Sequence, residues 1–280
     1  MLVDMKSILV EATKKGYGVV APNVSDACTI KACFDAALET RSPMVIDAGG
    51  QMDYEFIGNI VRLYSNRYPQ IPVALNLDHG KNLEQVMVAI RAGFTSVMID
   101  NSALPFEENV AATAEIVKIA HKVGVSVEAE LGHVGREGEN AADVGVYTIP
   151  EEAVKFVEQT DVDCLAVAIG TTHGHYKGEP HLEIELLDRI RKAVDIPLVL
   201  HGGSSTGDEN LKNAIKHGIS KINIGTDLND AGVKALEKFM SENSSSTTRF
   251  YLSKATDATF VGWKDKLKHY LIEFGEENRW

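Results

Sequence analysis

Three histidines stand where short apolar runs of the chain give out: His79 in LNLDHG, His173 in AIGTTHG and His201 in LVLHGG. A neutral imidazole nitrogen is a good zinc ligand, and three of them with one open position describe a catalytic zinc site. Each ring then needs an acceptor for its other nitrogen. Taken singly, a histidine at such a place is more often a hydrogen-bonded core residue; three at equivalent places shift the balance to metal. Carboxylates recur at the same places, as Asp78, Asp100, Glu128 and Glu130. Beside a metal, one of these can transfer a proton and another can orient a ligand or hold the ion in a second position. Glu128 and Glu130 are two apart and share a strand face; Glu128 is expected to be a solvated or ion-paired rim residue.

Two glycine-bearing strings, HGGSS and NIGTD, follow the last two apolar runs. Glycines let the backbone approach an oxyanion closely, and successive N–H groups form an anion nest. Gly202, Gly203, Ser204, Gly225 and Thr226 are therefore expected to hold a phosphate, with Lys177 adding positive charge. His133 and His175 lie near the same region without an expected direct role. His121, His181, His217 and His269 read as surface residues.

Bringing residues more than a hundred positions apart to one place is the task of the fold. Short apolar, β-branched runs at 18–24, 44–48, 73–78, 96–100, 126–131, 164–169, 198–201 and 221–224 alternate with helical patterns such as 82–92, 106–122, 208–217 and 228–240. Runs apolar throughout, such as CLAVAI and IPLVL, suit parallel strands covered by helices. Pro43, Pro72 and Pro197 each precede a strand, where a missing N–H costs little. Eight strand–helix units predict an α/β fold, a (β/α)₈ TIM barrel filling residues 1–280 as a single domain, whose strand ends form one rim. An open doubly wound sheet is the alternative, but no GxGxxG follows Val24. A polar connector, SENSSSTTR, leads to a C-terminal helical extension over about 247–280, with a helix expected at 257–274. EGENAADVGVY, after the fifth strand, reads as a long insertion, either a passive loop or a lid.

The formal net charge of −12 argues against nucleic acid or anionic lipid as partner, and a phosphate must be held by local N–H groups against that field. No apolar run is long enough to span a membrane, and MLVDMKSILVEATKKG reads as an amphipathic helix, not a signal peptide. Cys28, Cys33 and Cys164 are odd in number and scattered. They are expected to be buried, inert thiols, which points to a reducing, cytoplasmic setting.

The strings LDHG, SVMIDNS, VEAELGHVG, AVAIGTTHGHYKG, LVLHGGSS and KINIGTDLN occur in this order. With them the chain resembles the class II, zinc-dependent ketose-bisphosphate aldolases, which include fructose- and tagatose-bisphosphate aldolases. The resemblance implies that His79, His173 and His201 bind the catalytic zinc, and that Asp78 is the acid/base at the hydroxyl of the cleaved bond. It places dihydroxyacetone phosphate on Gly174, on Gly202, Gly203 and Ser204, and on Asn223, Ile224, Gly225 and Thr226, with Asn223 steadying the enediolate. Asp100 and Glu130 match acidic positions of a second or resting-state metal site. Na⁺ or K⁺ beside the phosphate is also implied. The family's chemistry is retro-aldol: zinc on the ketose carbonyl takes up the charge left when the carbon–carbon bond breaks. Class I aldolases use a Schiff-base lysine instead; here Lys221 is expected at the wrong end of the eighth strand for that.

The chain also departs from the family pattern. The mobile loop reads Gly135-Arg136-Glu137-Gly138-Glu139, so the loop acid is Glu137 or Glu139. Ala21-Pro22-Asn23 lacks the usual Phe before Asn, and Asp47-Ala48-Gly49-Gly50 lacks a Ser or Thr phosphate contact. In the C-terminal segment Arg249 remains. Asn23, Asp227 and Arg249 are assigned to the aldehyde side, and the dihydroxyacetone phosphate half is better supported than a second phosphate. The expected product is dihydroxyacetone phosphate with an aldehyde such as glyceraldehyde 3-phosphate, from a ketose 1-phosphate or 1,6-bisphosphate, and the expected assembly is a homodimer or homotetramer. Three rivals are a metal-dependent hydrolase, a metal-free phosphosugar isomerase or epimerase, and a non-catalytic sugar-phosphate-binding subunit. The first would place an HxH pair on its first strand, the second would leave three histidines idle, and the third is at odds with an intact Asp78.

Overall fold

The computed structural model describes residues 1–50, 52–135, 146–176, 178–243 and 251–280. Eight parallel strands run β1 (Val19–Pro22), β2 (Met44–Gly49), β3 (Val73–Gly80), β4 (Ser96–Ile99), β5 (Ser126–Leu131), β6 (Cys164–Val167), β7 (Leu198–Leu200) and β8 (Ile219–Ile224). Their order, β1-β8-β7-β6-β5-β4-β3-β2, is that of a (β/α)₈ barrel. Ten helices occur among the described residues: α1 (Met5–Lys15), α2 (Ala27–Thr40), α3 (Tyr54–Arg67), α4 (Leu83–Ala92), α5 (Phe106–His121), α6 (Pro150–Thr160), α7 (Ile184–Ala193), α8 (Asp208–Lys216), α9 (Thr226–Asn243) and α10 (Leu252–Glu273). None is long and apolar enough to cross a membrane.

Outward strand residues and inward helix residues make one large core. A second, smaller core lies inside the barrel, where Val19, Ala21, Val45, Ala74, Cys164, Ala166 and Val199 meet Met5, Ile8, Leu9 and Ala12 of α1. Helix α1 thus plugs the N-terminal end of the barrel. Strand period two stacks the interior in layers above that plug. Asp47 and Asn76 stand two places beyond Val45 and Ala74, and with Glu128 and Lys221 they are polar and fully buried. Two places further still come Asp78, Glu130 and Asn223, and His201 stands two beyond Val199. The interior therefore changes from apolar to ionic to chemical along the barrel axis.

The β1–β2 seam closes differently from the others. Asn23 donates its N–H to Ile224 of β8, so Val24, Pro22 and Val20 face β2. Val24 bonds the Asp47 carbonyl, and Pro22 has no N–H to leave unpaired. The remaining N–H, on Val20, is taken by the Glu276 carboxyl at 2.8 Å, delivered from beyond α10. Burial pushes this carboxyl well above the ordinary glutamate value, and its second oxygen has no partner among the described residues. Helix α10 buries Trp263, Leu267, Tyr270 and Leu271. It packs on α9 and α2, so it caps the chain's own barrel.

Three expectations are corrected. Helix α10 begins at Leu252, five residues before the expected start. Cys28 is exposed, while Cys33 and Cys164 are buried as expected. Lys221 is not at the start of β8, which begins at Ile219; it is an interior residue beneath the rim.

Candidate active site

The C-terminal strand ends bring the three histidines together. Ring centroids of His79 and His173 are 5.1 Å apart, of His79 and His201 4.6 Å, and of His173 and His201 5.9 Å. One nitrogen of each lies within 4.8 Å of the others. The nitrogens pointing inward are His79 Nε2 and His201 Nδ1, 2.9 Å apart. Each ring's opposite nitrogen meets a carboxylate at 2.8 Å: His79 Nδ1 with Asp100, His201 Nε2 with Glu128. That is the arrangement expected behind metal-bound imidazoles. His79 reaches its place at a cost, because its φ of +50° is unusual for a residue with a Cβ. Such backbone costs about 1–3 kcal/mol and clusters at functional sites.

The electrostatics suit a cation. Burial lowers the His79 pKa, but Asp78, Asp100 and Glu130 outweigh it and raise it to about 10. Burial, then His201 and His79, push His173 down to about 3, so its ring is neutral. The three carboxylates that raise His79 make a negative surrounding that favours a cation, and a metal would bind there in exchange for the His79 proton. The chemistry of the donors, imidazole nitrogens and carboxylate oxygens, suits zinc. His79, Asp100 and Glu130 form a second, overlapping group. Glu130 accepts from the Val134 N–H through Oε1, while Oε2 is buried without a hydrogen-bond partner among the described residues, 4.0 Å from His201 Nδ1.

Asp78 lies against the cluster, Oδ1 at 3.8 Å from His79 Nε2. Two amides hold it: Asn223 Nδ2 donates to Oδ1 at 3.1 Å and Asn23 Nδ2 to Oδ2 at 2.8 Å. Burial opposes its charge, yet His79, His201, Lys221 and the Asn23 bond outweigh that and lower its pKa to about 2. It is a carboxylate with both oxygens oriented.

A cavity of about 130 Å³ beside Asp78 is lined by Gly174, Gly202, Gly203, Ser204, Gly225 and Thr226, with Asn23, His173 and Asn223. Gly202 has φ +68°, and a Cβ there would come within 2.5 Å of the Thr172 carbonyl, so glycine is required. Ser204 Oγ accepts from the N–H groups of Gly225 and Asp227, at 3.2 and 3.3 Å, at the start of α9. The positive end of a helix dipole favours an anion, and Ser204 lies between the start of α9 and the cavity lining. A larger cavity of about 590 Å³ opens on the other side of the histidines, lined by His79, Lys81, Asp100, Ser102, Glu130, His133, His173 and Gly174, among others.

Among the described residues, Ile224 and Asp227 do not line either cavity. Ile224 is buried and does not line the small cavity; its carbonyl accepts from Asn23. Asp227 binds the Ser205 N–H at 3.1 Å and the Tyr270 hydroxyl of α10, which ties the terminal helix to the rim. Glu137, Glu139, Lys177 and Arg249 lie outside the described residues. Glu128 is no rim residue: it is fully buried, paired to Lys221 at 2.9 Å and bonded to His201. Asp47, Asn76 and Lys221, absent from the expected site, form the layer below it. The signal available was charge inside strands that are otherwise apolar, VIDAG and SKINI.

The sequence profile described as Fructose-bisphosphate aldolase class-II matches residues 3–279. The chain belongs to the class-II fructose-bisphosphate aldolase family. It is an aldolase, an aldehyde-lyase. The fructose-bisphosphate aldolase of Staphylococcus aureus (strain N315) is 40% identical over 99% of both chains, as is the probable fructose-bisphosphate aldolase of Bacillus subtilis (strain 168). Among solved structures, the YdjI aldolase of Escherichia coli K12 is 35% identical with a TM-score of 0.87, covering 100% of this chain and 99% of its own. A protein from Coccidioides immitis described as a putative fructose-1,6-biphosphate aldolase is 27% identical with a TM-score of 0.83, covering 98% of this chain and 97% of its own.

Proposed function

We propose that this aldolase is zinc-dependent and reversibly cleaves a ketose 1-phosphate or ketose 1,6-bisphosphate, of fructose or tagatose type. The products are dihydroxyacetone phosphate and an aldehyde such as glyceraldehyde 3-phosphate. The observation that carries the reading is that His173 and Gly174 line both cavities. A substrate with its phosphate on the N–H groups of the small cavity would lay its carbonyl beside the three imidazoles and its far half in the larger cavity.

His79, His173 and His201 would hold the zinc, with Asp100 and Glu130 available for a second position. Zinc, when bound, supplies a Lewis acid for the substrate carbonyl. Asp78, ionised and held by two amides, receives the proton of the hydroxyl at the breaking bond and returns it in the condensation direction. Asn223, which lines the phosphate cavity together with Asp78, is proposed to donate to developing negative charge. The backbone of residues 202–204 and 225–226 anchors the phosphate. A loop glutamate, Glu137 or Glu139, is the proposed base at the dihydroxyacetone carbon, with Lys177 assisting the phosphate and Na⁺ or K⁺ beside it. Asn23, Asp227 and Arg249 are proposed for the aldehyde side. Lys221 is unsuited to Schiff-base chemistry: burial opposes its charge, but Asp47, Glu128 and Asp78 hold it firmly protonated.

Gly49-Gly50 at the end of β2, where a hydroxyl would contact a second phosphate, favours a variant reading, a 1-phosphorylated ketose lacking the 6-phosphate. We further propose a cytoplasmic homodimer or homotetramer, supported by Val233, Met240, Leu252 and Val261 exposed on α9 and α10. The deciding experiment is a panel of fructose and tagatose 1-phosphates and 1,6-bisphosphates, scored by kcat/KM for dihydroxyacetone phosphate release. Release from at least one is expected; release from none would overturn the proposal.

A further inference from the structure

We propose that Lys221 is a positioning residue, which from beneath the rim sets the orientation of both the acid/base and one metal-facing histidine. The proposal rests on the aldolase reading above. Lys221 is fully buried, and its Nζ makes three contacts in three directions. It donates to Asn223 Oδ1 at 2.8 Å and to Glu128 Oε2 at 2.9 Å, and it is ion-paired with Asp47 Oδ2 at 3.1 Å.

Two arms lead upward from this ammonium. The first fixes an amide. A lysine ammonium only donates, so Asn223 must present Oδ1 downward and Nδ2 upward. Nδ2 is the atom that donates to Asp78 Oδ1 at 3.1 Å. Were the amide to turn over, its oxygen would face the Asp78 carboxylate, and that bond would become a repulsion. The second arm fixes an imidazole. Lys221 holds one oxygen of Glu128, and the other oxygen meets His201 Nε2 at 2.8 Å. That bond leaves His201 Nδ1 facing His79 Nε2, 2.9 Å away. Asp47 anchors the assembly from below, itself bonded by Asn76 Nδ2 at 2.9 Å.

A charge pair serving stability alone needs one cation and one carboxylate, and apolar residues of similar volume often do as well. Here the cation also grips a neutral amide two residues up its own strand, on the face that meets the acid/base. Asp47 lies on neither arm.

The test uses the zinc-loaded, full-length enzyme and its K221M/D47N variant, which removes one buried charge of each sign. kcat and KM are measured on the best ketose phosphate, zinc affinity by competition with a chromophoric chelator, and Tm by calorimetry. A loss of about 100-fold in kcat is expected from misplaced groups, with KM changed less than about threefold and zinc bound about tenfold more weakly. D47N alone keeps both arms and is expected to keep kcat within about threefold. Should the Met variant fail to fold, K221Q/D47N is read by the same measurements, with at least about a tenfold loss in kcat expected. A folded variant with a shifted Tm but near wild-type kcat and zinc affinity would reduce Lys221 to a structural ion and overturn the proposal. Wild-type enzyme that releases no dihydroxyacetone phosphate would instead overturn the aldolase reading beneath it.

Discussion

Replacing Asp78 by asparagine isolates proton transfer from the rest of the reaction. In the native arrangement both Asp78 oxygens accept, from Asn223 Nδ2 at 3.1 Å and from Asn23 Nδ2 at 2.8 Å. An asparagine offers one oxygen and one NH₂. D78N therefore sets a donor against one of the two amides, leaving a buried group unsatisfied at a cost of about 1–3 kcal/mol. It also removes the proton acceptor, a loss of about 10²- to 10⁴-fold in rate. Together these give an expected fall in kcat of about 10³-fold, or about 4 kcal/mol in the barrel-mouth transition state. KM should move less than kcat, because Asp78 is one part of the phosphate cavity's lining and Gly174, Gly202, Gly203, Ser204, Gly225 and Thr226 are left unchanged. The assay couples dihydroxyacetone phosphate release to an NADH-linked dehydrogenase. A second readout is exchange of the dihydroxyacetone phosphate carbon-bound proton with deuterated water, a half-reaction that does not need the hydroxyl proton. Exchange should stay within about tenfold of wild type. Cleavage within tenfold of wild type, or exchange lost as fully as cleavage, would refute the reasoning.

Other perturbations probe the frame around the site. Glu276 has a raised pKa in the folded chain, so the folded state binds more protons than the unfolded one above the ordinary glutamate pKa. Stability is then lost as pH rises. E276Q keeps an acceptor for the Val20 N–H without that titration. Denaturant melts should show it gaining on wild type between pH 5 and pH 8; a gap independent of pH would contradict the assignment. G202A sets a Cβ 2.5 Å from the Thr172 carbonyl at φ +68°. It should lower stability by about 1–3 kcal/mol and raise KM for the phosphorylated substrate, checked by melting and by steady-state kinetics; unchanged values would mean that the loop adapts.

Much of this was legible in the sequence. The runs CLAVAI and IPLVL mark the strands Cys164–Val167 and Leu198–Leu200 well because they are apolar on both faces, as buried parallel strands require. The rim was legible because His79, His173, His201 and Asp78 are chemically unusual at the ends of such runs. Lys221 was misjudged through a boundary error: β8 starts two residues earlier than its apolar signal suggests, with Ile219 and Ser220, which moves the lysine from the strand's start into its interior. Glu128 was misjudged because its partners, Lys221 and His201, are remote in the chain and charge pairing across a barrel leaves no local pattern. The early start of α10 escaped notice because Leu252 is 83% exposed, so its first turn carries no inward apolar stripe. The β1–β2 seam shows the same limit, since nothing near Val20 announces a carboxyl arriving from residue 276.

The central claim is that His79, His173 and His201 share one ion on which the reaction depends. Protein stripped by exhaustive dialysis against dipicolinate should release no dihydroxyacetone phosphate. Titrated with zinc, it should regain activity in proportion to metal bound, saturating near one equivalent per chain, with H173A failing to recover at any ratio. Full activity in the stripped protein, or recovery indifferent to H173A, would contradict the account.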